Sequence, residues 1–311
     1  MHGCKRWGIK MPFSLFWFKK IPLGFVIVFV SVFCACFAQE PTETVELWEG
    51  FAPGEAVREA NVENPAGYAD KITVPKLLIY RPENQTSDTC MLILPGGGFN
   101  NCYYGPEGIP NAQYWNSKGR FAAVLAYRVP RPTGKPIYWL ALQDAHRAIR
   151  YLRANADKYG INPDKIGVQG YSAGGRLALN VALNSKTQTY EPTDELDKLP
   201  TNVAFALPVY PAFVLDDGAD GPNVNKGEGA AILDDFHFDS QTPPMCLMHG
   251  DSDIYSPLGS IEVYKKLHKM GVSCELHIYS GAVHGFYNWF PLENANSWRE
   301  RSEAWLNKMG F

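Results

Sequence analysis

Ser172 stands in Gly170-Tyr171-Ser172-Ala173-Gly174, a setting suited to an acyl-transfer nucleophile. A serine hydroxyl attacks a carbonyl poorly unless a base takes its proton. The residues just before, 165–169, form a short apolar run that reads as a buried strand, and residues 175–183 read as a helix. A sharp turn between the two lifts the Oγ clear of the backbone. Glycines two residues either side let strand and helix approach with no Cβ between them. The helix N-terminus then points free N–H groups at any oxyanion that forms.

Such a serine needs a histidine to take its proton and a carboxylate to orient that histidine, and with the serine on a strand-to-helix turn both are looked for just beyond later strands. Residues 244–248 read as a strand and lead into His249-Gly250-Asp251-Ser252-Asp253. Residues 274–279 read as the last strand and lead into Ser280-Gly281-Ala282-Val283-His284-Gly285-Phe286. His284 is the expected general base, and Asp253 the partner that holds its ring in one tautomer. Asp251 is the alternative acid. His249 is the alternative base, but it follows its strand directly, a position that suits a ring supporting the loop. An oxyanion hole needs several converging N–H groups. Ala173 supplies one, and the glycines of Pro95-Gly96-Gly97-Gly98-Phe99 supply the rest, with Gly97 and Gly98 the expected donors.

These residues must be carried by a regular scaffold. Segments 45–48, 71–80, 90–94, 121–127 and 203–210 read as further strands, with Pro75 marking an edge or bulge. Helices are expected at 108–119, at 139–159 with Gly160 as its stop, at 261–270 and at 298–309. Strands and helices alternate from residue 90 onward. That predicts an α/β fold: a mainly parallel central sheet of about eight strands, flanked by helices on both faces. Asp144 and Arg147 fall on one helix flank and are expected to pair as structural support. Residues 216–235, rich in Gly and Asp, read as an irregular insertion near the site. Phe99, Tyr103, Tyr104, Trp115, Phe286, Tyr287 and Trp289 are the aromatics that could form a binding surface.

The first forty residues differ in kind. Lys5, Arg6, Lys10, Lys19 and Lys20 precede an uncharged apolar run at 21–37, followed by Cys36-Phe37-Ala38. This reads as a secretory signal peptide over 1–38, cleaved after Ala38, with Met1 or Met11 as the start. A run of about 17 residues is short for a membrane span, and Cys36 is a poor lipoprotein site. The reading is therefore a secreted or periplasmic protein with no stable membrane span, and one catalytic domain over 39–311. Net charge is −3 and 20% of residues are charged, which gives no reason to expect nucleic acid as a partner. Cys90, Cys102, Cys246 and Cys274 remain after the leader, and their pairing is left open. No metal-ligand spacing appears, so neither metal nor cofactor is expected.

The glycine run, Gln143-Asp144-Ala145-His146-Arg147-Ala148-Ile149-Arg150, the serine pentapeptide with Gly175, His249-Gly250 through Asp253, and His284-Gly285-Phe286 occur in one order. In that order the chain resembles the α/β-hydrolase esterases, most closely the secreted bacterial acetylxylan esterase-like proteins, which are often labelled xylanases. Pro95 stands where hormone-sensitive-lipase-type relatives carry His. The resemblance implies removal of acetyl or other small acyl groups from plant polysaccharide, through an acyl-enzyme. A lipase or general carboxylesterase, a serine peptidase, and a non-catalytic carbohydrate-binding protein on the same scaffold are the alternatives. A xylanase would need two carboxylic acids flanking the scissile bond, and no local signature marks such a pair. The oligomeric state is not legible.

Overall fold

Uncharged runs such as residues 90–94 and 121–126 make strands buried on both faces, which requires helices above and below the sheet. The computed structural model, which describes residues 40–216, 229–286 and 292–311, has that arrangement. The chain enters with β1 (Glu43–Glu46), a separate two-stranded ribbon of β2 (Val62–Asn64) and β3 (Tyr68–Lys71), and then β4 (Lys76–Tyr80). It continues through β5 (Cys90–Leu94), α1 (Ile109–Ser117), β6 (Phe121–Ala126), α2 (Trp139–Ala154), α3 (Ala156–Tyr159), β7 (Ile166–Tyr171) and α4 (Ala173–Leu183). Then come β8 (Ala206–Val209), β9 (Met245–Gly250), α5 (Leu258–Lys269), β10 (Cys274–Tyr279) and α6 (Trp298–Met309).

Eight strands form one sheet in the order β1-β4-β6-β5-β7-β8-β9-β10. The β1–β4 and β4–β6 pairs are antiparallel and the other five are parallel. From β5 the chain steps to β6 on one side; from β7 it steps to β8 on the other. The loops leaving β5 and β7 therefore diverge around one crevice, where an open α/β sheet binds its ligands.

Alternation along each strand divides the core. Cys90, Leu92 and Leu94 join Leu142, Ile149, Leu177 and Leu267 on the α2, α4 and α5 side. Met91 and Ile93 join Trp115 of α1 with Trp298 and Trp305 of α6 on the other. A fully buried Leu or Ile of this kind contributes roughly 1.5–3 kcal/mol.

Several elements differ from expectation for identifiable reasons. The strand expected over 71–80 is two strands, broken at a turn before Pro75, whose carbonyl accepts the Leu47 N–H at 3.1 Å. The helix expected over 139–159 breaks at Asn155 into α2 and α3, and Gly160 ends it with φ of 62°. β1 stops at Glu46, because Leu47 and Trp48 turn into the core.

Asp144 and Arg147 do not pair. Fully buried Asp144 takes the Arg128 Nε at 3.0 Å on each oxygen, the Arg128 backbone N–H at 2.9 Å and the Trp48 indole N–H at 2.9 Å. Arg147 instead reaches Asp194, Asp197 and the Leu47 carbonyl. A buried carboxylate needs donors on several sides, which one arginine three residues along its own helix cannot supply.

Cys90, Cys102 and Cys246 are buried free thiols, and Cys274 is a half-buried one. Among the described residues, no helix is long and apolar enough to cross a membrane. The expected leader, with Ala38 and Cys36, lies outside the described residues.

Candidate active site

β7 passes into α4 through Ser172, which has φ of 54° and ψ of −118°. A non-glycine residue rarely holds a positive φ, so the surrounding packing must impose it. The flanking glycines make the turn possible. A Cβ on Gly170 would stand 1.9 Å from the Gly174 carbonyl oxygen, and one on Gly174 would stand 2.0 Å from that of Leu94. Both positions are backbone against backbone, where no other side chain fits.

The loops after β9 and β10 converge on this serine. His284 Nε2 lies 2.7 Å from Ser172 Oγ. His284 Nδ1 lies 2.9 Å from each oxygen of Asp253, which is 2% exposed. A carboxylate only accepts, so Nδ1 carries the ring proton and Nε2 is left to accept the Ser172 hydroxyl. Asp253 also accepts the Tyr255 backbone N–H at 2.7 Å. The His284 ring is packed between Tyr255 and Tyr210, with centroids 4.7 Å and 5.1 Å away.

The two alternatives named from sequence do other work. Asp251 is exposed and accepts the Gly281 N–H at 2.6 Å, tying the β9 loop to the β10 loop. His249 is fully buried at the end of β9. Its Nε2 donates to the Tyr255 carbonyl at 2.9 Å, so its Nδ1 accepts from the Ser260 hydroxyl at 2.8 Å. Burial pushes the His249 ring down to about 4, which keeps it neutral.

Ser172 and His284 open into a cavity of about 550 Å³ that Gly97, Gly98, Asn101, Tyr103 and Glu107 also line. Gly97 and Gly98 have φ of 125° and 63°, and a Cβ on Gly97 would meet the Asn101 carbonyl oxygen at 2.2 Å. Gly97 closes a tight turn by accepting the Asn100 and Asn101 N–H groups, both at 3.0 Å. Gly96 faces another way, since its N–H donates to Glu107 Oε2 at 2.6 Å. Ala173 is the first residue of α4, directly after the serine.

Glu107 escaped the sequence reading. It sits in a five-residue π-helix, Tyr104–Gly108, ahead of α1, and is buried. Burial pushes its carboxyl above the usual range, against the donors Gly96 and Tyr210 and the neighbouring His284. A single acidic residue between Pro106 and Gly108 was the available signal. Of the aromatics singled out from sequence, Tyr103 lines the cavity; Phe99, Trp115 and Phe286 are core, and Tyr104 bonds Glu63 on the ribbon. Tyr287, Trp289 and most of the 216–235 insertion lie outside the described residues. Among the described residues, Cys246, Glu275 and His277 bring potential metal ligands within 4.8 Å of one another on β9 and β10. Glu275 there is engaged with His277 at 3.3 Å and Lys308 at 3.6 Å.

The BD-FAE family model matches residues 39–211, more than half the chain. An acetylxylan esterase of Xylanibacter ruminicola is 25% identical over 244 residues, covering 72% of this chain and 47% of that protein. The chain thus spans about half that relative's length. An acetyl ester-xyloside bifunctional hydrolase of Caldicellulosiruptor lactoaceticus has a similar structure, with a TM-score of 0.68 and 26% identity over 88% of this chain and 98% of that one. A thermophilic esterase of Thermogutta terrifontis, with butyrate bound, gives a TM-score of 0.63 and 26% identity over 76% and 90%. That esterase is also known phosphonylated by sarin.

Proposed function

The chain belongs to the BD-FAE family and has the α/β-hydrolase fold, and from that premise we propose that it is a serine carboxylesterase removing acetyl or similar small acyl groups from plant polysaccharide. One observation carries the reading: Ser172, His284 and Asp253 form a continuous hydrogen-bonded chain, 2.7 Å and 2.9 Å long, that ends in an open cavity. In this reading Ser172 Oγ attacks the ester carbonyl and its proton passes to His284 Nε2. Asp253 holds the ring and stabilises the imidazolium. The oxyanion rests on the N–H groups of Gly97, Gly98 and Ala173. The C–O bond to the alcohol then breaks, and His284 returns the proton to the leaving oxygen. Water, deprotonated by the same histidine, attacks the acyl-enzyme and releases the acid.

The carbohydrate part of the reading is supported by the xylan-directed relatives and by the open cavity wall of Asn101 and Tyr103. Residues 39–211 carry the family match, and we take 39–311 as one catalytic domain behind a leader at 1–38 that directs the protein out of the cytoplasm.

The test is acetate release from acetylated xylan, beside hydrolysis of p-nitrophenyl acetate and octanoate, by wild type and Ser172→Ala. Release from the polymer that vanishes in Ser172→Ala is the expected result. Hydrolysis of octanoate with none of the polymer would move the substrate to lipids or general esters. Full activity in the variant would overturn the mechanism.

A further inference from the structure

We propose that Glu107 is a positioning residue that sets the oxyanion loop, an inference that rests on the esterase reading above. Its carboxylate joins the two halves of the site. Oε2 accepts the Gly96 N–H at 2.6 Å, and Oε1 accepts the Tyr210 hydroxyl at 3.0 Å. Gly96 precedes two of the proposed oxyanion donors, and the Tyr210 and His284 rings meet in a T-shaped contact with centroids 5.1 Å apart.

Gly96 is confined between this carboxylate and the nucleophile turn. A Cβ there would stand 2.7 Å from Glu107 Oε2, 2.9 Å from the Tyr171 carbonyl oxygen and 3.0 Å from Ser172 Cβ. Its carbonyl accepts the Tyr103 N–H at 3.1 Å. With Gly96 held on both its N–H and its C=O, the direction of the next two N–H groups is set before substrate arrives. That is the preorganisation that makes an oxyanion hole effective.

The cost of this placement argues for a role. A buried carboxylate is expensive unless paired with a cation. Among the described residues, no Lys or Arg forms an ion pair with Glu107. The π-turn that aims it back at Gly96 is rare and is found mostly at functional sites.

The test is a series at this position, Glu107→Gln, Glu107→Asp and Glu107→Leu, read by p-nitrophenyl acetate kinetics. Complete labelling of Ser172 by a fluorophosphonate checks that each variant is folded with a competent nucleophile. Gln keeps an acceptor for Gly96, Asp withdraws the acceptor by one methylene, and Leu fills the volume with none. The expected result is kcat near wild type for Gln, a lower kcat for Asp, and a fall of roughly 10²-fold for Leu, with KM within about twofold throughout. Wild-type kcat in Asp or Leu, or a Gln variant as impaired as Leu, would overturn the proposal. Absence of fluorophosphonate labelling in wild type would instead sink the serine reading.

Discussion

Asp253 presents both carboxylate oxygens to Nδ1 of His284, each at 2.9 Å, while Asp251, two residues earlier, faces a backbone N–H on the surface. Asp253→Asn offers that nitrogen an amide instead. An amide that donates to Nδ1 would fix the tautomer whose Nε2 carries a proton and cannot take one from Ser172. The expected loss in kcat is on the order of 10⁴-fold, by analogy with other serine–histidine–aspartate sites. Asp251→Asn should stay within about twofold of wild type, since exposed surface changes are usually small. Steady-state kinetics on p-nitrophenyl acetate separates them, and equal losses in both variants would mean that the loop, not the Asp253 carboxylate, matters.

The backbone at Ser172 is held in a strained conformation, with φ of 54°. Positive φ in a residue with a Cβ costs about 1–3 kcal/mol, and glycine is free of that penalty. Against this, glycine loses about 0.5–1 kcal/mol through chain entropy. Ser172→Gly is therefore expected to be inactive yet more stable than wild type by about 1 kcal/mol in urea unfolding. Ser172→Ala keeps the Cβ and should unfold near the wild-type midpoint. A Gly variant less stable than the Ala variant would mean the turn is not strained at this residue.

The parts of the site legible in sequence were those set by local spacing. Ser172, Asp253 and His284 each follow a strand of the sheet, β7, β9 and β10, so chain order alone brought them to the C-terminal ends of parallel strands. Gly170 and Gly174 were legible because a four-residue separation across a strand-to-helix turn leaves no room for a Cβ. The illegible parts depend on folding back. Glu107 meets Gly96 eleven residues earlier through a π-turn that no periodicity marks. Asp144 finds Arg128 sixteen residues away in preference to Arg147 on its own helix. The β2–β3 ribbon has neither alternation nor a continuous apolar run, and its strands are three and four residues long.

Acid sensitivity should follow from two histidines buried as neutral rings. Burial pushes His249 down to about 4, and burial with Arg150 nearby pushes His146 down to about 3, from 6.5. The folded state resists their protonation while the unfolded chain accepts it, so the unfolded state binds more protons in this window. Stability is then complete above about 6.5 and lost as pH falls toward 4 and 3, each ring contributing a slope of about 1.4 kcal/mol per pH unit. Urea midpoints measured from neutral pH to about 5 should fall with acidification, and His146→Gln should flatten that fall. A pH dependence unchanged in His146→Gln would show that this ring takes up a proton as readily in the folded state as in the unfolded chain.

The wall of the cavity can be separated from its chemistry. Tyr103 stacks on Tyr68 of the ribbon at 4.6 Å with an 18° interplanar angle, and Asn101 donates to Asp70 at 2.6 Å. The ribbon also bonds the loop backbone through Ala69 and Cys102, at 2.9 Å and 3.0 Å. These contacts hold an aromatic and an amide at the cavity, a combination suited to a sugar's apolar face and its hydroxyl groups. Tyr103→Ala should raise KM for acetylated xylo-oligosaccharides by about three- to tenfold, the equivalent of one lost aromatic contact. In this assignment Tyr103 meets the sugar and not the acyl group, so p-nitrophenyl acetate kinetics should stay within about twofold. Parallel losses on both substrates would assign Tyr103 to holding the glycine loop, and an unchanged KM for the oligosaccharide would place the alcohol elsewhere in the cavity.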